Sequence, residues 1–133
     1  MDPDRWLPEL EKVYKLAAEV ATGLDLRGKE RYHVIRETLT VAQEVGPAGV
    51  AFAKKAKEWL GYCGSLENYI RFSKQFSRIA YAEKTGGIEK GTTEKLIETG
   101  LEKLKELGYD GWENFVEYEV LKMPSKELYN HSK

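Results

Sequence analysis

Apolar positions step by three and four along nearly the whole chain, which is the spacing of a helix with one buried face. Leu10, Val13, Tyr14, Ala17, Val20, Ala21 and Leu24 form the first such stripe. Trp6 and Leu7 extend it backwards. Pro8 suits the first turn of that helix, so residues 3–7 are expected to form a separate turn, and Gly23 stands where a C-terminal cap belongs. A second helix is predicted over about 29–45. Its inner stripe is Tyr32, Ile35, Leu39 and Ala42, helped by Val34, Val41 and Val45. Gly46-Pro47 ends it, because glycine tolerates the left-handed cap and proline suits a first helical position. A third helix, about 48–62, places Phe52, Ala53, Ala56, Trp59, Leu60 and Cys63 on one face and Lys54, Lys57 and Glu58 opposite, with Lys55 at the flank.

Gly61 and Gly64 bracket the exit of that helix, and Ser65 can cap the next. The fourth segment runs from Leu66 to about Lys84. Leu66, Tyr69, Ile70, Phe76 and Ala80 line its inner face, with Phe72, Ile79 and Tyr81 at the flanks. So wide an apolar arc predicts a central helix. The remaining polar ridge is narrow and holds Glu67, Arg71, Lys74, Gln75 and Arg78. Residues 85–91 contain three glycines and read as a loop. Thr92 or Thr93 caps a fifth helix carrying Leu96, Ile97, Leu101, Leu104 and Leu107, which Gly108 ends. Asp110 with Glu113 resembles a capping box for a sixth helix, with Trp112, Phe115, Val116 and Val120 facing inward. Met123-Pro124 stops it, and residues 125–133 read as a frayed tail.

No alternating run bounded by turn signals interrupts this pattern. The expected fold is all-α, a compact bundle of five to six helices in one domain: a four-helix part (1–84), a Gly-rich hinge loop (85–91), a C-terminal helical hairpin (92–123) and a tail (124–133). Phe52, Trp59, Leu60, Ile70, Phe76, Leu101, Leu104 and Phe115 are the expected core.

With 41% hydrophobic and 32% charged residues, the chain has a globular composition and no disordered bias. No apolar run approaches the roughly 20 residues of a membrane span. The acidic start, Met1-Asp2-Pro3-Asp4, is unlike a secretory leader. A single cysteine, Cys63, cannot close an internal disulfide, so a cytoplasmic location is expected. The dominance of Lys and Glu among charged residues resembles proteins of hot environments.

Catalytic signatures are absent. His33 and His131 have no metal-spaced partners, so no metal or cofactor is expected. Glu30, Glu37 and Glu44 recur at sevens, but without an inward Glu-x-x-His element they read as a solvated face. Cys63 falls at the apolar end of its helix and reads as buried. The stretch 85–92 ends Lys-Gly-Thr, lacks the Gly-Lys-Ser/Thr order, and follows no strand, so it is no phosphate loop. Trp59, Tyr69, Phe72 and Phe76 sit at core spacing, which leaves Tyr62 and Tyr81 as exposed aromatics able to stack on bases. The reading is therefore of a protein that is not an enzyme.

Charge is unevenly placed. Residues 47–84 carry seven basic groups (Lys54, Lys55, Lys57, Arg71, Lys74, Arg78, Lys84) against Glu58, Glu67 and Glu83, a local balance of +4. Residues 1–46 balance at −2 and residues 85–133 at −3. Solubility alone can explain surface lysines. Here, however, the basic groups span two consecutive helices with few acids between them. Such a ridge can follow a phosphate backbone without reading bases. Lys54, Lys55, Lys57, Arg71, Lys74 and Arg78 are the candidate nucleic-acid contacts. Glu113 and Glu117, four apart, form an acidic ridge expected on a different face, suited to head-to-tail association with further copies of the chain.

The run Tyr62-Cys63-Gly64-Ser65-Leu66-Glu67-Asn68-Tyr69-Ile70, opening a helix in mid-chain, is similar to the small subunit of CRISPR interference complexes, most like the archaeal type I-A (Csa-type) family of Cascade. The match covers about a tenth of the chain. The resemblance implies a helical, non-catalytic subunit present in several copies. With the other subunits of its complex it would hold guide RNA–target duplex or the displaced DNA strand through backbone contacts, while the guide reads sequence. The six basic residues come from the charge pattern and not from a family motif. The near-neutral net charge of −1 departs from a strong nucleic-acid binder. The alternative is a helical protein–protein interaction or regulatory module, of viral or plasmid type, whose basic strip meets an acidic partner.

Overall fold

The computed structural model describes residues 3–123, with side chains from Leu10 onward, and this part of the chain is helical with no strand among the described residues. Helix α1 (Pro3–Gly23) is continuous, so the expected separate turn before Pro8 is replaced by helix. Helix α2 (Gly28–Val45) ends at Gly46, whose φ of 73° opens a short 3-10 turn, Gly46–Gly49, with Pro47 at its start. The expected third helix is two pieces, α3 (Val50–Lys54) and α4 (Ala56–Cys63), separated by a turn at Lys55. Gly64, at φ 74°, closes α4 in the left-handed conformation. Ser65 then caps α5 (Leu66–Lys84) by accepting from the Asn68 backbone N–H at 3.1 Å, as the sequence pattern predicts.

Helix α6 (Thr92–Asn114) contains a break at Gly108, which takes φ 75° and ψ 176°. Residue 108 therefore ends the first part of α6, as expected, and re-aims residues 109–114. The chain then widens into a π-helix, Phe115–Val120, closed by Leu121 N–H donating to the Val116 carbonyl at 2.8 Å. The expected side-chain cap at the start of α6 is not formed by Thr92 or Thr93. The Thr92 hydroxyl donates to the Glu89 carbonyl, while the Thr93 backbone N–H donates to Glu83 Oε1 of α5 at 2.8 Å. A carboxylate from a neighbouring helix thus sits at the positive helix end.

The core is a large cluster with an aromatic centre, beside a small second one of Val13, Ala42 and Val50. Phe52, Trp59, Tyr69, Phe72, Phe76 and Trp112 are fully buried. Phe76 stacks on Trp59 with ring centroids 5.6 Å apart and an interplanar angle of 14°. Leu60, Ile70, Leu101 and Phe115, expected inside, are only partly buried at the edge of the cluster. Two glycines allow close approach. A Cβ at Gly100 would lie 3.1 Å from Phe76 Cζ, and one at Gly49 would lie 2.7 Å from the Ala42 Cα of α2.

Helix α2 packs against both α1 and α5, and this overrides its apparent stripe. Tyr32, expected inside, is 61% exposed, while Glu37, expected on a solvated face, is buried at 8%. A helix held between two neighbours buries two faces, and the second face here carries Glu37 and Thr38. No described helix is long and apolar enough to cross a membrane.

Candidate nucleic-acid interface

The six basic residues divide into two groups. Lys54 ends α3, Lys55 forms the turn, and Lys57 lies in the first turn of α4. With Leu24 and Glu58 these three lysines border one shallow hollow. Lys55 Nζ is 3.8 Å from Glu58 Oε2, while Lys54 and Lys57 are exposed with no ion pair among the described residues. Lys74, on α5, is likewise exposed.

Arg71 and Arg78 are held within the chain. Arg71 Nε donates to Glu113 Oε1 at 2.6 Å and its Nη2 to Asp110 Oδ1 at 2.9 Å. The guanidinium lies 5.5 Å from the Tyr109 ring centroid. The hydrogen bonds that Arg71 donates to Glu113 and then to Asp110 drive it further towards its charged form. Arg78 Nη1 is 3.3 Å from Glu117 Oε1 and 3.3 Å from Gln75 Oε1, and its Nη2 meets Met123 Sδ at 3.5 Å. The expectation that Glu113 and Glu117 lie on a face away from the arginines is corrected here. The acidic ridge and the arginine ridge face each other across α5 and the end of α6. The break at Gly108 is expected from the sequence, but the direction in which it re-aims residues 109–114 is not conveyed by spacing. Lys84, the seventh basic group of the segment, is 3.3 Å from Glu44 of α2.

One contributor to the lysine face was hidden by segment charge. Lys105 of α6 lies 5.7 Å from the Tyr62 ring centroid, and both line a groove of about 630 Å³ with Lys55 and Lys57. Glu58, Glu98 and Glu102 line the same groove, so its field is mixed. Tyr62 is 43% exposed and Tyr81 60% exposed, so both rings are accessible, as the spacing predicts.

The remaining reactive side chains among the described residues are Cys63, His33 and Glu37. Cys63 is buried, and burial pushes its thiol upward, away from the nucleophilic thiolate. His33 Nδ1 is buried without a hydrogen-bond partner among the described residues, and its ring packs edge-on against Tyr32 at 5.1 Å. Burial also raises Glu37, against the opposing pull of Arg36, His33 and Lys74. Among the described residues no cluster of three or more His, Cys, Asp or Glu side chains could hold a metal. His131 and the tail, 124–133, lie outside the described residues.

No family model matches the chain, and comparison with curated proteins and with solved structures finds no match either.

Proposed function

We propose that this chain is a non-catalytic helical subunit that holds a nucleic-acid backbone, in the manner of the small subunits of RNA-guided interference complexes. The observation that carries the proposal is the Lys54–Lys55–Lys57 cluster. It is presented where α3 breaks into α4, and two of its three charges have no ion-pair partner among the described residues. Exposed lysines around a shallow hollow suit phosphate contact without base reading. Lys74 extends the cationic surface. Arg71 and Arg78 are the weaker contacts, because a phosphate would have to displace Glu113, Asp110 and Glu117 from them. The same holds for self-association through Glu113 and Glu117. Partners on this reading are a guide–target duplex or displaced strand, the other subunits of the complex, and further copies of the chain.

The test is salt-dependent binding of a labelled duplex by the wild type and by Lys54→Glu with Lys57→Glu. Losing two phosphate contacts should flatten the logarithmic salt slope by roughly 1.8 on duplex DNA. An unchanged slope would assign binding elsewhere. Reversing Arg71 and Arg78 is the poorer test, since it would set new carboxylates against Glu113 and Glu117.

A second reading is favoured by those same ion pairs. Arg71, Arg78 and Lys84 are all engaged with acids, which leaves a modest positive field. A helical protein–protein module with an acidic partner needs no more than that, and it would show no salt-dependent nucleic-acid binding.

A further inference from the structure

A groove of about 610 Å³ runs between α1 and α2, and its lining shares no residue with the lysine hollow. Leu10 and Tyr14 line it from α1, and Tyr32, Ile35 and Leu39 line it from α2. Arg31 and Arg36 stand in the same wall, and among the described residues no acidic side chain lines the groove. Tyr14 is 49% exposed and Tyr32 61% exposed, although both lie on helices whose other faces are well packed. Arg31 is steadied by donating from Nη1 to the Thr22 hydroxyl at 2.9 Å. Arg36 is exposed and forms no ion pair among the described residues. On α1 Lys15 Nζ lies 3.8 Å from Glu11 Oε1, a pair that is neutral as a unit.

Two accessible aromatic rings over an aliphatic floor, with two guanidiniums and no carboxylate, offer a flat apolar face and a cationic rim together. An apolar peptide would use the rings and leave the arginines unmatched, and a phospholipid headgroup would match the arginines with its phosphate but offer the rings no flat face. A duplex would present phosphates but keep its base faces stacked internally. An unpaired strand presents both, a base face for a tyrosine and a phosphate for an arginine. We infer that the α1/α2 groove binds one or two unpaired nucleotides of a single-stranded nucleic acid, with Tyr32 and Tyr14 stacking on bases and Arg36 and Arg31 holding the adjoining phosphates. This deepens the nucleic-acid reading above and rests on it in assuming a nucleic-acid ligand, but it uses a separate surface.

Fluorescence anisotropy with a labelled oligothymidylate and an abasic deoxyribose-phosphate strand of equal length and charge tests it. The wild type should prefer the base-bearing strand about tenfold, the scale of one stacked base. Tyr14→Leu with Tyr32→Leu should abolish that preference and leave abasic binding intact. Tyr14→Phe with Tyr32→Phe should retain it. Lys54→Glu with Lys57→Glu should weaken both strands and keep their ratio. A strand carrying 5-iodouracil should photocrosslink to Tyr32 in the wild type, which keeps the idea testable if the leucine variant fails to fold. Equal affinity for the two strands, or a preference that survives the leucine changes, overturns the groove and leaves the lysine-face reading standing. Binding to neither strand or duplex overturns both.

Discussion

Phe76→Ala is the perturbation that most directly examines the core. The Phe76 ring is fully buried and meets Phe52 and Phe72 at 5.3 Å, Trp59 at 5.6 Å and Trp112 at 5.8 Å between centroids. Losing the burial of a phenylalanine side chain costs about 1.5–3 kcal/mol. A residual cavity of roughly 100 Å³ adds about 2.4 kcal/mol at ~24 cal/mol per Å³. Collapse is hindered because the neighbours are rigid rings, and the facing position on α6 is Gly100, which has no side chain to move in. The expected loss is therefore about 4–5 kcal/mol, at the top of the range for this substitution. That is a large part of the roughly 5–15 kcal/mol that holds a domain together. Urea unfolding followed by far-ultraviolet circular dichroism measures it, with the slope against urea checking that the unfolded state is unchanged. The complementary change, Gly100→Ala, places a methyl 3.1 Å from Phe76 Cζ and should cost about 1–3 kcal/mol by overpacking. In a Phe76→Leu background that methyl has room, so the two costs should not add. A loss under about 2 kcal/mol for Phe76→Ala, or full additivity of the pair, would refute the packing argument.

Three further outcomes follow from the buried polar contacts and the helix junctions. At Glu83, burial opposes ionisation, but the backbone N–H groups of Thr93 and Gly91 and the charge of Lys90 outweigh it and hold the carboxyl below its usual 4.5. Its capping contribution is thus present above about pH 4.5 and is lost as pH falls through the lower folded value, so Glu83→Ala should cost ~1 kcal/mol in urea titrations at pH 7 and progressively less below pH 4. Glu37 has the opposite sign. Burial raises it, so its ionisation works against folding above the ordinary value of 4.5, and Glu37→Gln should match the wild type in thermal midpoint at pH 4 and exceed it at pH 7. Gly49→Ala puts a Cβ 2.7 Å from backbone of α2, which has no flexible end to yield, and should lower the thermal midpoint more than Gly61→Ala, where the added methyl meets nothing.

Local signals in the sequence were reliable where a single short stretch decides the structure. Gly46, Gly64 and Ser65 each act through one turn of backbone, and each does what its residue type predicts. The aromatic centre was also legible, because Phe52, Trp59 and Phe76 repeat at helical spacing. Tyr32 and Glu37 were not, because the rotation of α2 is set by what packs on it from α1 and α5. The unbroken stripe from Phe52 to Cys63 likewise gave no sign of the turn at Lys55. The α1/α2 groove is not legible in the sequence, because its two arginines lie in a segment of net −2 and only the packing of α1 on α2 sets them beside Tyr14.

The charge pattern was misleading for a physical reason that gives it a different meaning. Of the seven basic groups in residues 47–84, Arg71 pairs with Asp110 and Glu113, Arg78 with Glu117, and Lys84 with Glu44. Every one of those acids lies outside the segment, in the stretches that balance at −2 and −3. A count over consecutive residues registers both halves of such a seam as separate surpluses, one positive and one negative. Much of the +4 is therefore the imprint of how α2 and the end of α6 dock on α5. Only the part that has no partner in the fold can serve an outside polyanion. Among the described residues of α3, α4 and α5 that part is Lys54, Lys57 and Lys74, with Lys55 loosely tied to Glu58. A binding surface argued from charge has to be drawn from these residues, and the salt slope of their variants is the quantity that decides whether it exists.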